Sequence, residues 1–558
     1  METYIIDKFN NWLKNVKDKD LALELENIKN NPKEIEERFY QSLNFGTAGL
    51  RGILGAGTNR MNIYTVMQST QGYANYLNSL GRGGTVAIAY DNRKNSALFA
   101  RASACVLAKN NISVKIFKTL MPTPVLSYAV RELRADGGIV ITASHNSKEY
   151  NGYKVYNNEG CQISEEIADL IFKEILGVDI FSDISSGDFD ELLSQGKISY
   201  IDDRLCDSFV SRCLDFVTDF SAFECNDLRV AYTPLNGTGL APVTALLKKL
   251  GIRNLFVVEE QKNPDECFTT CPIPNPETVE ALSLGLSLAR DKNADLLLAT
   301  DPDADRVGVA VRDKDSFKIL NGNEVGVLLL YYIANAKVAL SKMPKSPVMV
   351  KSVVSEPLAD EIARHYGIKP VNVLTGFKNI GDYMKSLEPD NLDSFILGFE
   401  ESCGYLATTL ARDKDSISTC GLICEMACHY KKQNKTLWDV LQEIYKDYGY
   451  YMSKNISFTF EGKAGKEKIN RLMESFWGEF SLPNLNYNSV FDFKKNDKLN
   501  ANMIKIFLEH DCSFIIRPSG TEPKIKFYIY VKGNSQEDKL QKFNAIKSSI
   551  TEYINNFE

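Results

Sequence analysis

The sequence predicts an α/β protein: three similar consecutive α/β domains with mixed sheets, then a C-terminal α+β domain. Three observations carry this. Short apolar runs alternate with amphipathic helical stretches, the βαβ signature of a sheet covered by helices. The alternation restarts twice along the chain. The last hundred residues change character, to strand, turn, strand and a terminal helix. The chain has 558 residues. At roughly 150 residues per domain that length suits three or four domains.

Taken in order, residues 1–40 mix apolar residues with Lys and Glu and predict a helical lead-in. TVAIAY (85–90) predicts a strand and ALFARASACVLAKN (97–110) a helix. SVKIF (113–117), VLSYAVRELR (125–134) and GIVIT (138–142) continue the alternation. The theme restarts at LRVAYTP (228–234), with helix APVTALLKKLG and strand NLFVVEE. It restarts again at SPVMVKSVV (346–354), with helix PLADEIARHYG and strand KPVNVLT. Boundaries are expected near 200, 315 and 455, giving domains 1–200, 201–315, 316–455 and 456–558. In the last, SFIIRPSGTEPKIKFYIYV (513–531) predicts strand, turn, strand.

Composition excludes several classes. Hydrophobic residues at 44% and charged residues at 25% are ordinary for a soluble globular protein. A net charge of −7 argues against a general nucleic-acid binder, which needs a basic face. VGVLLLYYIANAKVAL (325–340) is interrupted by Asn335 and Lys337, is too short to span a bilayer, and predicts a buried helix, so no membrane partner is expected. The N-terminal residues show no apolar signal core. Twelve cysteines without such a signal point to a reducing, cytoplasmic setting with free thiols. Cys420, Cys424 and Cys428 recur every four residues, which predicts one packed helix face and not the C-x₂-C spacing of zinc sites.

Ligands of open α/β sheets bind beyond the carboxyl ends of the strands. TASHN (142–146), DPDADR (301–306), TGFKN (375–379) and GFEES (398–402) all follow strands and would face one cleft if the domains surround it. Asp301, Asp303 and Asp305 alternate, so an extended segment projects them to one side, and three hard oxygens suit Mg²⁺. An EF-hand is excluded because Arg306 and Arg312 stand where its Gly and Glu belong. TASHN offers the hydroxyl of Ser144, without the G-x-S-x-G elbow of a hydrolase. In an extended loop His145 is expected to point away from its neighbour, so a Ser–His dyad is not favoured. Lys154 in NGYKVY can supply a mobile cation or a proton. RPSGTEPK (517–524) reads as an anion cradle: Gly520 lets backbone N–H groups converge, Ser519 and Thr521 add hydroxyls, and Arg517 adds a fork donor. The glycine-rich FGTAGLRGILGAGTNRMN (45–62), with Arg51 and Arg60, is neither a P-loop nor a G-x-G-x-x-G fingerprint, so ATP and NAD are not supported.

Together these motifs resemble the α-D-phosphohexomutase superfamily of phosphoglucomutases and phosphomannomutases. The resemblance runs in order from FGTAGLRG through TASHN, DPDADR, TGFKN and GFEES to RPSGTEP, which is far more specific than any single motif. It implies a four-domain enzyme around a central cleft, an intramolecular phosphotransferase of the isomerase class. Ser144 would carry the phosphoryl group and, with Asp301, Asp303 and Asp305, hold Mg²⁺. Lys154, His145 and Lys378 would serve proton transfer. Arg51, Arg306, Thr375, Gly376, Glu400, Ser402, Arg517, Ser519, Gly520, Thr521 and Lys526 would bind substrate. A sugar 1,6-bisphosphate would be the activator, and small sugar phosphates the ligands. GFEESCGY departs from the commoner G-E-x-S-G-H sugar loop, with Tyr405 in place of His, and looks closest to the phosphoglucomutase/phosphopentomutase subgroup. Glucose phosphate is the expected substrate, with pentose or mannose phosphate as alternatives. A metal-dependent phosphatase, a kinase and an inactive scaffold are the rival readings.

Overall fold

The computed structural model describes residues 2–46, 49–81, 84–224, 227–460, 462–519 and 524–557. By contacts the chain divides into two compact units: Met1–Ala310 with Gly404–Glu425, and Val311–Cys403 with Met426–Glu558.

The first unit begins with three helices, Thr3–Asn15, Lys19–Ile28 and Pro32–Phe39, where the sequence indicated only a helical lead-in. Asp18 and Asn31 cap the second and third by accepting backbone N–H groups. Their apolar faces close on Phe9, Trp12 and Phe39, whose rings meet edge to face.

Strands β1 (Gly49–Ile53), β2 (Thr85–Tyr90), β3 (Ser113–Ile116), β4 (Gly137–Ile141), β5 (Tyr150–Asn157) and β6 (Ile198–Tyr200) form a sheet in the order β1-β5-β4-β2-β3-β6. β3, β4 and β6 run parallel within the sheet core around β2, whereas β5 pairs antiparallel with both β1 and β4. β4 is buried at every position, as its unbroken apolar run requires when helices cover both faces. The antiparallel β5 aligns Lys154 with Val140, one strand across from the chain that leads into Ser144.

A second sheet contains β7 (Arg229–Thr233), β8 (Asn254–Val257), β9 (Leu296–Thr300) and β10 (Val307–Asp313), in the order β10-β9-β7-β8. β7, β8 and β9 are parallel, and all five residues of β9 are buried. β11 (Ser316–Leu320) then opens the second unit, and β15 (Gly404–Leu406) returns to the first.

In the second unit β12 (Val348–Ser352), β13 (Lys369–Val373) and β14 (Phe395–Glu400) pair in parallel, with β12 in the middle. The apolar run at 325–340 falls in a mostly buried helix, Gly322–Ala339, with Leu340 as its C-cap and its N-terminus closed by reciprocal Asn321 and Glu324 caps. Among the described residues no helix is long and apolar enough to cross a membrane. The predicted C-terminal α+β segment is an antiparallel sheet of β16 (Tyr450–Thr459), β17 (Tyr487–Asp492), β18 (Ile504–Leu508), β19 (Ser513–Pro518) and β20 (Lys524–Gly533), ordered β16-β20-β19-β18-β17. Helices 462–477 and 536–556 contribute to its core. Tyr530 ties this sheet to the preceding one by donating to the carbonyl of Val354 at 2.7 Å. The described cysteines form no disulfide, and Cys420, Cys424 and Cys428 are buried.

Candidate active site

The serine loop leaves β4 at a sharp turn. The Thr142 hydroxyl oxygen accepts the Ser144 N–H at 2.8 Å, and Ser144 sits at φ 52°, in the left-handed region. For a residue with a side chain that conformation costs about 1–3 kcal/mol and persists only where surroundings enforce it. The turn points Oγ inward. It donates to Asp301 Oδ2 at 2.6 Å and lies 3.2 Å from His145 Nδ1. The expectation that His145 faces away is therefore corrected: the left-handed turn brings the two side chains together. Burial, then Arg306 and Arg51, holds the His145 imidazole well below its usual pKa, which favours the neutral ring.

The carboxylates follow β9 directly. Asp301, Asp303 and Asp305 are at most 2% exposed, with one oxygen of each within 4.8 Å of the others. Asp301 Oδ1 accepts the N–H groups of Asp305 at 3.1 Å and Arg306 at 3.0 Å, so the loop curls around its own first carboxylate. Burial, then Asp305 and Asp303, pushes Asp301 well above the carboxylate range. Asp305 is burdened by the same burial, but Lys414, Lys154 and Arg306 outweigh it and hold its pKa below that range. Asp303 Oδ1 and Asp305 Oδ1 are buried with no hydrogen-bond partner. Buried oxygens of this kind are costly unless a cation satisfies them, and three carboxylates fit a hard divalent ion.

Lys154 is not the mobile cation the sequence suggested. Its Nζ lies 2.8 Å from Asp303 Oδ2 and 3.5 Å from Asp305 Oδ2. Burial lowers its pKa, but the two aspartates outweigh burial and the net shift is upward, opposite to the lowered lysine expected of a base. Arg51 donates to Asn146 Oδ1 at 2.9 Å, beside the serine loop. Arg306 lies 3.6 Å from both Glu277 and Asp305.

In the second unit Gly376 stands at φ 109°, a conformation that favours glycine, and its N–H donates to Glu400 Oε1 at 2.7 Å. This brings the Thr375–Gly376 turn onto the end of β14, with Lys378 buried at the start of the next helix and Ser402 just beyond Glu400. Arg517 and Lys526 are paired across β19 and β20, and the Ser519 N–H donates to the Lys524 carbonyl at 2.7 Å. The Tyr528 hydroxyl is driven up by burial and Glu401, and Arg517 opposes the shift. Gly520 and Thr521 lie outside the described residues.

Sequence reasoning missed four participants. Lys414 Nζ is 3.2 Å from Asp305 and 2.9 Å from Asp413, which in turn accepts from the Tyr156 hydroxyl and Gln162, both at 2.7 Å. Thr123 donates to Asp303 Oδ2 at 2.8 Å. Arg93, following β2, donates to the carbonyls around Ser144. The strand-end rule that found TASHN would have flagged DNR (91–93) equally well.

Fold and site define an α/β protein with a buried serine hydroxyl hydrogen-bonded to a carboxylate cluster suited to a metal. Models of phosphoglucomutase/phosphomannomutase α/β/α domains I, II and III match residues 42–179, 207–314 and 321–448. A phosphoglucomutase of Staphylococcus saprophyticus is 35% identical over 565 aligned positions, covering 96% of this chain and 99% of the relative. One of Staphylococcus epidermidis is 36% identical, covering 96% and 98%. In fold the chain resembles a phosphoglucomutase/phosphomannomutase family protein of Burkholderia thailandensis (TM-score 0.67, 18% identity, 92% and 98% covered). It also resembles the open form of the Paramecium phosphoglucomutase parafusin (TM-score 0.68, 17% identity, 93% and 96% covered). The chain belongs to the phosphoglucomutase/phosphomannomutase family of the α-D-phosphohexomutase superfamily.

Proposed function

We propose that the chain interconverts glucose 1-phosphate and glucose 6-phosphate through phosphorylated Ser144 and glucose 1,6-bisphosphate. The observation that carries this reading is the Ser144 hydroxyl, 2.6 Å from Asp301 inside the buried carboxylate cluster, with Lys154 alongside. In this reading residues 1–200 carry the serine, 201–315 the carboxylates, 316–455 the sugar loop and 456–558 the phosphate cradle. Asp301, Asp303, Asp305 and the seryl phosphate would hold Mg²⁺, which supplies positive charge to the phosphoryl oxygens when bound.

Phosphoryl transfer is mostly positioning and charge stabilisation. The sugar 6-hydroxyl attacks phosphorus, the new O6–P bond forms as the Ser144 O–P bond breaks, and the hydroxyl proton passes to a base. His145, 3.2 Å from Ser144 Oγ, is placed to take it. Lys154 stays charged between its aspartates and faces the anionic group. The proton passes from His145 to the departing Ser144 Oγ; the bisphosphate then turns, Oγ returns that proton to His145 as it takes the phosphoryl group from O1, and O1 recovers it as the O1–P bond breaks. Arg517, Ser519 and Lys526, with Gly520 and Thr521, hold whichever phosphate is not moving. Glu400 and Ser402 with the Thr375–Gly376 turn and Lys378 read the sugar hydroxyls, and Arg51 and Arg306 neutralise charge near the serine.

The test is isomerisation of glucose 1-phosphate and ribose 1-phosphate in parallel, with Mg²⁺ and catalytic glucose 1,6-bisphosphate. Turnover of glucose 1-phosphate, lost in Ser144→Ala and after chelation, is the expected result. Preference for ribose or mannose 1-phosphate would move the substrate and keep the mechanism. Free phosphate without isomerisation would overturn it.

A further inference from the structure

One arginine organises the whole serine loop without facing the reacting atoms. Arg93 is 2% exposed, just past the end of β2. Its guanidinium donates to four carbonyls of the loop. Nη2 reaches Ser144 O at 2.6 Å and Asn146 O, and Nη1 reaches Ser147 O at 2.8 Å and Tyr150 O at 3.1 Å. Nε lies 3.3 Å from Asp91 Oδ2, and Asp91 is itself fixed by the Ser96 hydroxyl at 2.7 Å and the Arg93 N–H at 3.0 Å. A planar fork with five N–H donors can satisfy four diverging carbonyls and a carboxylate at once, which the three donors of a lysine ammonium cannot.

The guanidinium has a seat from the second sheet's domain. The Phe268 ring lies 5.0 Å from the Arg93 guanidinium carbon. Phe268 is fully buried at φ 46°, in a turn where Asp265 accepts the N–H groups of Cys267 at 2.9 Å and Thr269 at 2.7 Å. Asn92, beside Arg93, donates to the Asp265 carbonyl at 3.0 Å. The 265–269 turn and the arginine are thus locked together, and the carboxylates belong to the same domain as the turn.

We propose that Arg93, seated on Phe268, is a positioning residue for the phosphoryl transfer. It holds Ser144 in its left-handed turn and sets the serine loop against the domain that carries Asp301, Asp303 and Asp305. The inference rests on the functional reading above, because only that reading makes the placement of Ser144 Oγ rate-determining. Arg93 does not touch the substrate. Its loss acts on the rate of transfer to and from Ser144 and leaves sugar-phosphate affinity nearly unchanged.

The test uses the full-length wild type, Arg93→Lys, Arg93→Ala and Phe268→Leu. Phosphate uptake at Ser144 from glucose 1,6-bisphosphate is timed by intact mass, alongside kcat, KM and thermal melting. Misplacing a reacting group by about 1 Å can cost on the order of 100-fold in rate. Arg93→Lys keeps the charge beside Asp91, so it is expected to fold, to lose about 100-fold in uptake rate and kcat, and to keep KM within about threefold. Phe268→Leu is expected to lose about tenfold in the same pattern. Arg93→Ala should regain part of its rate with added guanidinium ion, a rescue that a general loss of stability would not show. Uptake and kcat within twofold of wild type in folded Arg93→Lys overturn the inference, as does a change confined to KM. A wild type that accepts no phosphate overturns the functional reading, and this inference with it.

Discussion

At the scale of single residues, Asp305 carries the heaviest load. One of its oxygens faces Lys154 and Lys414, and the other is buried without a hydrogen-bond partner. Asp305→Asn keeps the volume and removes the charge, leaving two buried lysines less well paired. The expected outcome is at least a 100-fold fall in kcat/KM and at least a tenfold weaker divalent affinity, measured by Mn²⁺ and Mg²⁺ titration of the purified variant. Unchanged metal affinity would remove Asp305 from the ligand set. This cluster was legible in the sequence because three carboxylates at alternate positions after an apolar strand have few structural uses. Arg93 and Lys414 were not legible, because their significance lies in groups distant along the chain: carbonyls beyond residue 143 for one, Asp305 for the other. The upward shift of Lys154 was not legible for the same reason. Burial alone would lower it, and only the fold places Asp303 and Asp305 against it.

At the scale of elements, alternation of apolar runs located the strands well; TVAIAY is β2 to the residue. It did not reveal that β5 runs antiparallel between β1 and β4, since period-two alternation carries no direction. The loop after β7 shows a further constraint hidden from pattern reading. The Thr238 N–H and hydroxyl both donate to the Pro302 carbonyl, at 2.8 and 2.9 Å, so this loop carries the carboxylate loop on its back. A Cβ added at Gly237 would stand 2.4 Å from Pro302 Cα and 2.6 and 2.8 Å from its carbonyl oxygen and carbon, all backbone atoms that cannot swing aside. Gly237→Ala is therefore expected to cost about 1–3 kcal/mol of stability by overpacking. It should also displace Pro302 between Asp301 and Asp303 and reduce turnover about tenfold or more. Melting and turnover of the variant check both; a variant that melts and turns over like wild type shows that the loops are not tightly stacked.

At the scale of the molecule, the succession of three parallel-type segments and one antiparallel segment was readable from where the pattern restarts and where it changes. How segments interlock was not, because side chains at their junctions come from distant stretches of sequence. In the second unit a small core of Val354, Phe493, Met503, Ile515, Tyr528 and Tyr530 joins the β12–β14 segment to the C-terminal sheet. Beside it Glu356 is 4% exposed, and its Oε1 has no hydrogen-bond partner. Burial first, and then Glu324, raises its pKa from 4.5 to about 7, against the opposing pull of the Ser453 hydroxyl, Lys351 and Lys539. An acid with a raised folded pKa binds its proton more tightly folded than unfolded. Its stabilising contribution is present in full below the unfolded value near 4.5 and is lost as pH climbs through 7. The full swing is about 3 kcal/mol. Glu356→Gln removes the titration and keeps the shape. Denaturant unfolding of wild type and variant between pH 5 and 8 should show the variant gaining on wild type as pH rises, by on the order of 2 kcal/mol. Parallel profiles would mean that Glu356 stays ionised in the folded protein, paired with Lys351 or Lys539. The junction between the two segments would then be a conventional buried ion pair and not a proton-dependent contact.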